Sequence, residues 1–307
     1  MTKRPHTFRR FIPLLVSGVL ALSACGGSGS AITSTNEVFS VNGQSYSKDD
    51  FNTISQALVD LQQFAATNGK IKTEDAQSII QTLVRYEAFA QFIEKRGITI
   101  SEAVRKDVVE KAQSDEAYKN SPPLLQDLLV NLNIASTVLQ DIKPPTESEL
   151  KALYEKSPAS SGALCLSHIL VKTKAEALDV LKDLDSGVSF AEEAAKKSIE
   201  PGADKSGGSL AENGEKCSAL TRLQQGFDKD FMAGAVAAKM GVPSGPVKSS
   251  FGYHIILNHN YDDVKTSLTK VLANDSGSLL LAGFMTTADV KINSIYGTWN
   301  DGTASFN

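Results

Sequence analysis

Apolar and polar positions recur with two different periods along this chain, and the changes of period mark its units. From Glu37 to Tyr46, two short β-type runs flank Asn42-Gly43, which predicts a hairpin. Ser47 follows as a helix N-cap with Asp50 at the third helical position, and Phe51, Ile54, Leu58 and Leu61 then recur at helical spacing. A second helix is predicted from Thr73 to Arg96, with Ile79, Ile80, Leu83, Ala90 and Ile93 as its apolar stripe and Gly97 as its stop. A third starts at Ser101 and carries Val104, Val108 and Ala112. A fourth, rich in leucine, runs from Leu124 to Ile142 after Pro122-Pro123. Pro144-Pro145 closes this unit. Thr146-Glu147-Ser148-Glu149 is a capping box that starts a short helix through Tyr154, and residues 157–162 read as a linker.

Two further β-type runs each enclose one histidine: Cys165-Leu166-Ser167-His168-Ile169-Leu170-Val171 and Phe251-Gly252-Tyr253-His254-Ile255-Ile256-Leu257. The residues between them read as helices and a Gly-rich loop, with an irregular stretch from Glu212 to Gln225. Residues 266–285 can form one helix. Residues 288–299 then alternate like a strand, with Ala288, Val290 and Ile292 on one face and Asp289, Lys291 and Asn293 on the other. Residues 300–307 read as a disordered tail. Helices with a few short strands predict an α+β chain. Taken singly, each histidine run is a buried strand with a satisfied histidine.

The N-terminus adds a compartment. Lys3, Arg4, Arg9 and Arg10 precede an apolar run from Phe11 to Leu22 that is too short for a stable span, and Leu22-Ser23-Ala24-Cys25 offers a small-residue cleavage site. This is the pattern of a signal peptide over residues 1–24. A cysteine directly after small residues resembles the lipobox of bacterial lipoproteins, which implies lipidation of Cys25 as the first mature residue. Gly26-Gly27-Ser28-Gly29-Ser30 predicts a flexible tether within residues 25–36. Loss of four basic residues with the leader shifts the formal net charge from −4 to −8. A mildly acidic chain without a basic cluster argues against nucleic acid as a partner. No later run is long and apolar enough to cross a membrane, so the expected place is a membrane surface outside the cytoplasm. Of three cysteines, Cys165 and Cys217 remain; in an oxidising compartment they can pair.

As a pair in this order, the two histidine runs resemble the ends of the parvulin family of peptidyl-prolyl isomerases. The resemblance covers residues 163–261 and implies a small antiparallel-type central sheet surrounded by helices. It also implies catalysis without metal or cofactor. Within it, His168 and His254 match the family's paired histidines. Glu200, in Ser198-Ile199-Glu200-Pro201-Gly202, matches the loop position that faces the substrate amide, where the family carries Asp or Cys. Phe227 and Phe231 match positions that line the proline pocket, with Leu210 beside them. The family's Gly-Gly-Asp-Leu-Gly is here Gly207-Gly208-Ser209-Leu210-Ala211, a departure that bears on catalytic efficiency. The order of strand pair, helices, Pro-Pro, short helix and parvulin-like segment resembles the SurA/PrsA type of extracytoplasmic foldase. That implies a helical chaperone-like domain over residues 37–145, closed by residues 262–299, with residues 146–162 connecting it to the parvulin-like part. The implied partners are unfolded secreted polypeptides with X-Pro bonds.

The chemistry fits those residue types. Rotating an X–Pro bond breaks amide resonance and forms no covalent intermediate. A site for it holds the proline ring among apolar side chains and favours a twisted amide over a planar one. A metal built from Cys165, His168, Cys217 and His254 is opposed by strand geometry, because positions 165 and 168 face opposite sides of a sheet. The rival reading is a foldase-like chaperone whose parvulin part has weak or no activity and only binds extended chains.

Overall fold

The computed structural model describes residues 36–211 and 214–307. The expected leader (1–24), the lipidation site Cys25 and the tether before Asn36 lie outside the described residues.

Strands β1 (Glu37–Val41) and β2 (Gln44–Ser47) form the expected hairpin. Its turn places Asn42 at φ 49° and Gly43 at φ 82°, the two positive values that a tight two-residue hairpin turn requires. Ser47 caps α1 (Lys48–Asp60) by accepting from Asp50 N at 3.1 Å. A small ribbon, β3 (Ala66–Thr67) and β4 (Lys70–Ile71), follows, turning at Asn68-Gly69. The long α2 (Thr73–Lys95) buries Ile79, Ile80, Leu83 and Val84 and runs through the whole N-terminal core. Then come α3 (Glu102–Ala112), α4 (Glu116–Lys119), α5 (Pro123–Asp141) and α6 (Glu147–Lys156), the last started by the Thr146/Glu149 capping box.

A 3₁₀ turn over Pro158–Ser161 leads to β5 (Ala163–Leu164) and β6 (Leu166–Val171). Next are α7 (Lys174–Asp185), α8 (Phe190–Lys197), α9 (Ala203–Ser206), β7 (Ser218–Ala219), α10 (Leu220–Gly226) and α11 (Lys229–Ala237). Strands β8 (Val247–Lys248) and β9 (Tyr253–Asn258) complete a three-stranded antiparallel sheet of order β6-β9-β8, with helices packed around it. Capping boxes at Thr173/Glu176 and Ser189/Glu192 start α7 and α8. A disulfide joins Cys165, just before β6, to Cys217, just before β7. The chain finishes with α12 (Tyr261–Ala273), α13 (Ser276–Thr286), β10 (Val290–Ile292), β11 (Trp299–Asn300) and β12 (Ser305–Phe306). Strand β10 pairs antiparallel with β1, Phe39 opposite Ile292 and Val41 opposite Val290, so the C-terminal segment returns to the first strand of the fold.

Four expectations are corrected. Residues 300–307 are ordered: β11 and β12 pair, and Ala304 and Phe306 are buried in the N-terminal core. Apolar burial of the final Phe outweighs the entropy of a free end. Residues 157–162 are a buried contact, not a loose linker; Gly162, at φ 82°, lies so close to α13 that a side chain there would overlap the backbone of Leu279. The helix expected over 266–285 is two helices, broken at Asn274-Asp275, where the Asp275 carboxylate caps α13 by accepting from Ser278 N. The second half of the irregular stretch, from Leu220, is helical.

Candidate active site

The antiparallel register of β6 and β9 builds the centre of the site. His168 lies opposite Ile256 and His254 opposite Leu170, so the two histidines are diagonal neighbours on one face of the sheet. Their rings stack at 5.4 Å with 17° between planes, and their Nδ1 atoms meet at 3.2 Å. Both are buried, His168 to 2% exposure. Burial, and then the neighbouring His254, push the His168 imidazole down to about 4. Burial also lowers His254, against the pull of the Asp228 carboxylate. The pair is therefore neutral at pH 7, and one proton serves the Nδ1–Nδ1 contact. His254 Nε2 lies 2.7 Å from Ser249 Oγ, which already accepts from Phe251 N at 3.1 Å and so has its O–H free to donate to the ring. In that arrangement His254 Nδ1 donates to His168 Nδ1, and His168 Nε2 carries its proton towards Glu200 Oε2, 3.8 Å away. At that separation there is no hydrogen bond, and with the His168 ring neutral there is no ion pair either.

Glu200 reaches this position because its loop is pinned to β6. Ile199 N donates to Leu170 O at 2.8 Å, and Leu170 N donates to Ser198 Oγ at 3.1 Å. The Glu200 side chain is half-buried, with 43% of its surface exposed. On the other side, α11 supplies Phe231, whose ring meets His254 at 5.0 Å and His168 at 5.6 Å, both edge-on. Phe227, at the end of α10, stacks on Phe231 at 5.1 Å and is only partly buried. Leu210 packs at the edge of the same cluster, its N–H donating to Leu166 O at 3.1 Å. His168, His254, Glu200, Phe227, Phe231 and Leu210 thus converge on one region. Cys165 and Cys217 sit in a different cluster, away from the histidines.

Two supporting groups escaped the sequence reading. Ser249 holds His254 Nε2, and its only signal was a small polar residue just before the Phe-Gly turn. Asp228 caps α11 by accepting from Asp230 N and Phe231 N, and also accepts from Ser250 Oγ at 2.9 Å. Burial works to raise its carboxyl, but these donors hold it below the usual carboxylate range. Two clefts, of about 440 and 530 Å³, lie around the C-terminal end of α2 and not at the histidine pair.

Comparison with known proteins meets this geometry at the same residues. The family model for a PPIC-type PPIase domain, or rotamase, matches residues 168–260. Residues 168–260 belong to the PPIC-type peptidyl-prolyl isomerase family. The match begins at one histidine of the stacked pair and includes the other. The chain is also 39% identical over 127 residues to the foldase protein PrsA of Clostridium kluyveri, covering 40% of this chain and 35% of that one. The chain thus spans about a third of the length of that curated relative. It is 26% identical over 284 residues to the PrsA of Caldanaerobacter subterraneus subsp. tengcongensis, covering 86% of this chain and 88% of the relative. Among solved structures, the parvuline of Nitrosopumilus maritimus is 34% identical, with 32% of this chain and 97% of that one covered and a TM-score of 0.28. The isomerase domain is flanked on both sides by the elements of the N-terminal core, which the family model does not cover.

Proposed function

We propose that this protein is an extracytoplasmic foldase, held at a membrane by lipid on Cys25, that catalyses cis–trans rotation of X–Pro bonds in unfolded secreted polypeptides. In this reading the domain structure is a parvulin unit, residues 163–261, set into a helical unit made of residues 37–145 and 262–299. The observation that carries it is the neutral, stacked His168–His254 pair, flanked by Phe231 and Phe227 on one side and Glu200 on the other, inside the segment that matches the isomerase family. Phe227, Phe231 and Leu210 form the apolar receptor for the proline ring. His168 and Glu200 present a polar edge to the amide, where a twisted carbonyl gains more from them than a planar one. The chemistry calls for no cofactor. The helical unit holds clients by covering their apolar surface. Its cleft of about 530 Å³ mixes apolar side chains such as Ile98, Val104 and Ile142 with Arg96, Asp141 and Lys143, a lining that suits an extended segment carrying both apolar and polar groups.

One observation favours the rival reading of a chain-binding protein with a weak isomerase. Phe231 is only 1% exposed and lies under the Phe227 ring, so a proline can stack on it only if Phe227 moves. An isomerisation assay on a short proline peptide, run beside an aggregation-suppression assay on an unfolded client, separates the two. Exchange well above the uncatalysed rate supports the enzyme. Suppression of aggregation without isomerisation supports the binder. For the anchor, Cys25→Ser should release the protein from the membrane fraction or block its processing; a variant that is processed and retained normally removes the lipid from the proposal.

A further inference from the structure

The end of the chain reaches the helix that carries the proline-pocket phenylalanine. Gln224 Nε2, on α10, donates to Gly302 O at 2.9 Å. Lys229 Nζ, at the start of α11, donates to Phe306 O at 2.5 Å, and Asn300 Nδ2 donates to Lys229 O at 3.3 Å. Gly302 lies so close that a methyl group on it would overlap the backbone of Met232 and Ala233. These are the two residues directly after Phe231.

The other face of the β11–β12 hairpin belongs to the N-terminal core. Ala304 and Phe306 are buried in it, with Trp299 edge-on to Phe306 at 5.7 Å. Gln77 Nε2, on α2, donates to Tyr296 O at 2.7 Å just before the hairpin. Residues 299–306 therefore touch two bodies at once: the long helix of the N-terminal core, and the wall of the isomerase domain. Phe231 transmits any shift of α11 directly, because its ring packs against both histidines.

We propose that the β11–β12 hairpin is a positioning clasp for the proline pocket, fixing α11 against the N-terminal core so that isomerisation depends on the last residues of the chain. The proposal rests on the isomerase reading given above. Gly302 is its pivotal residue: its lack of a side chain lets the hairpin lie flat on α11. Being polar at Lys229 and Gln224 and apolar at Phe306, the clasp ties a solvent-facing edge of the isomerase wall to a buried anchor.

The test uses the full chain and Gly302→Ala, with Ile54→Val as a control that trims the N-terminal core on a different helix. All three are assayed well below their unfolding temperatures. Gly302→Ala is expected to lower kcat/KM on a short proline peptide by about ten- to a hundredfold, as misplacement of a positioning element does. It should also shift the NMR signals of the His168 and His254 rings and speed amide exchange in residues 229–237. Ile54→Val should lose stability and leave kcat/KM and the ring signals within twofold and in place. A folded Gly302→Ala with wild-type kcat/KM and unmoved histidine signals overturns the clasp. If Gly302→Ala does not fold, Lys229→Met combined with Gln224→Leu removes two of the hairpin's hydrogen bonds from the isomerase wall and is held to the same readouts. If the wild-type chain shows no isomerisation, the functional reading fails by itself. The ring signals and the exchange of residues 229–237 then decide the clasp: movement in the variant upholds it, and none overturns it.

Discussion

Burial keeps both histidines of the pair neutral, and that has a consequence for stability. His168 is held at about 4 in the folded chain, by burial first and by His254 second, against about 6.5 for a free imidazole. Between these values the unfolded chain binds more protons than the folded one. The stability that His168 contributes as a neutral ring is therefore complete above pH 6.5 and is lost as the pH falls through 4. The loss is on the order of 3 kcal/mol. His168→Asn cannot titrate, so its unfolding free energy should fall by that much less than the wild type's between pH 7 and pH 4. Urea denaturation at both values checks this, and equal losses in the two proteins would remove the histidine from the account. At this scale the sequence was readable where a residue type and a strand register coincide: two histidines in paired β-type runs had to share a face or oppose each other. What it did not show was depth. Nothing in the spacing of Phe227 and Phe231 says that one ring covers the other, because that is set by the angle between α10 and α11.

Helix α11 needs its own support, since its last carbonyls have no helical partner. Asn258, fully buried on β9 four residues after His254, donates through Nδ2 to Ala235 O at 3.0 Å and Ala238 O at 2.9 Å. One strand thus holds both a histidine of the pair and the end of the helix that carries Phe231. Asn258→Ala should cost about 1–3 kcal/mol, the penalty for leaving buried carbonyls unpaired, and should lower isomerisation; Asn258→Asp, which loses the same donor and sets a buried carboxylate against the two carbonyl oxygens, should cost at least as much. Unfolding curves and peptide assays on both variants would expose a purely structural role: activity unchanged in each while stability falls. The loop before α10 has a different support. Cys217 is bonded to Cys165, and both Lys216 N and Cys217 N donate to Ser267 Oγ on α12, at 3.0 and 3.1 Å. Replacing both cysteines with serine should cost about 2–5 kcal/mol, read as a lower urea midpoint than that of the oxidised wild type. A midpoint that does not move would mean that the bond adds nothing to the fold. Elements with strong ends were legible: α6 in its capping box and the β1–β2 turn in Asn42-Gly43. The β3–β4 ribbon was passed over although Asn68-Gly69 is the same signal, because its two-residue arms are too short and polar to show a period.

At the scale of the whole molecule, the sequence pointed to two units, and the structure runs them into each other. The contacts responsible link residues far apart in sequence, which no local period records: Gly162 with Leu279, β10 with β1, and Gly302 with α11. One apolar cluster gathers Phe89, Phe92 and Ile93 from α2, Tyr154 from α6, Ala163 and Cys165 beside the sheet, and Leu268, Leu272, Leu279 and Leu280 from α12 and α13. Two units joined by exposed, flexible segments would leave such residues in water and would unfold independently. Here the isomerase domain shares its base with α2 and α13, and opening either side exposes apolar surface on the other. The chain should therefore unfold as one cooperative body. Scanning calorimetry is expected to show a single transition whose calorimetric and van't Hoff enthalpies agree. A fragment limited to residues 166–260 should melt well below the full chain, because it loses Ala163, Cys165 and the α12–α13 floor together. Two separate transitions, or a fragment as stable as the intact protein, would show that the shared cluster does not couple the units, and the dependence of the proline pocket on the end of the chain would then have to be confined to the local contacts at Gly302.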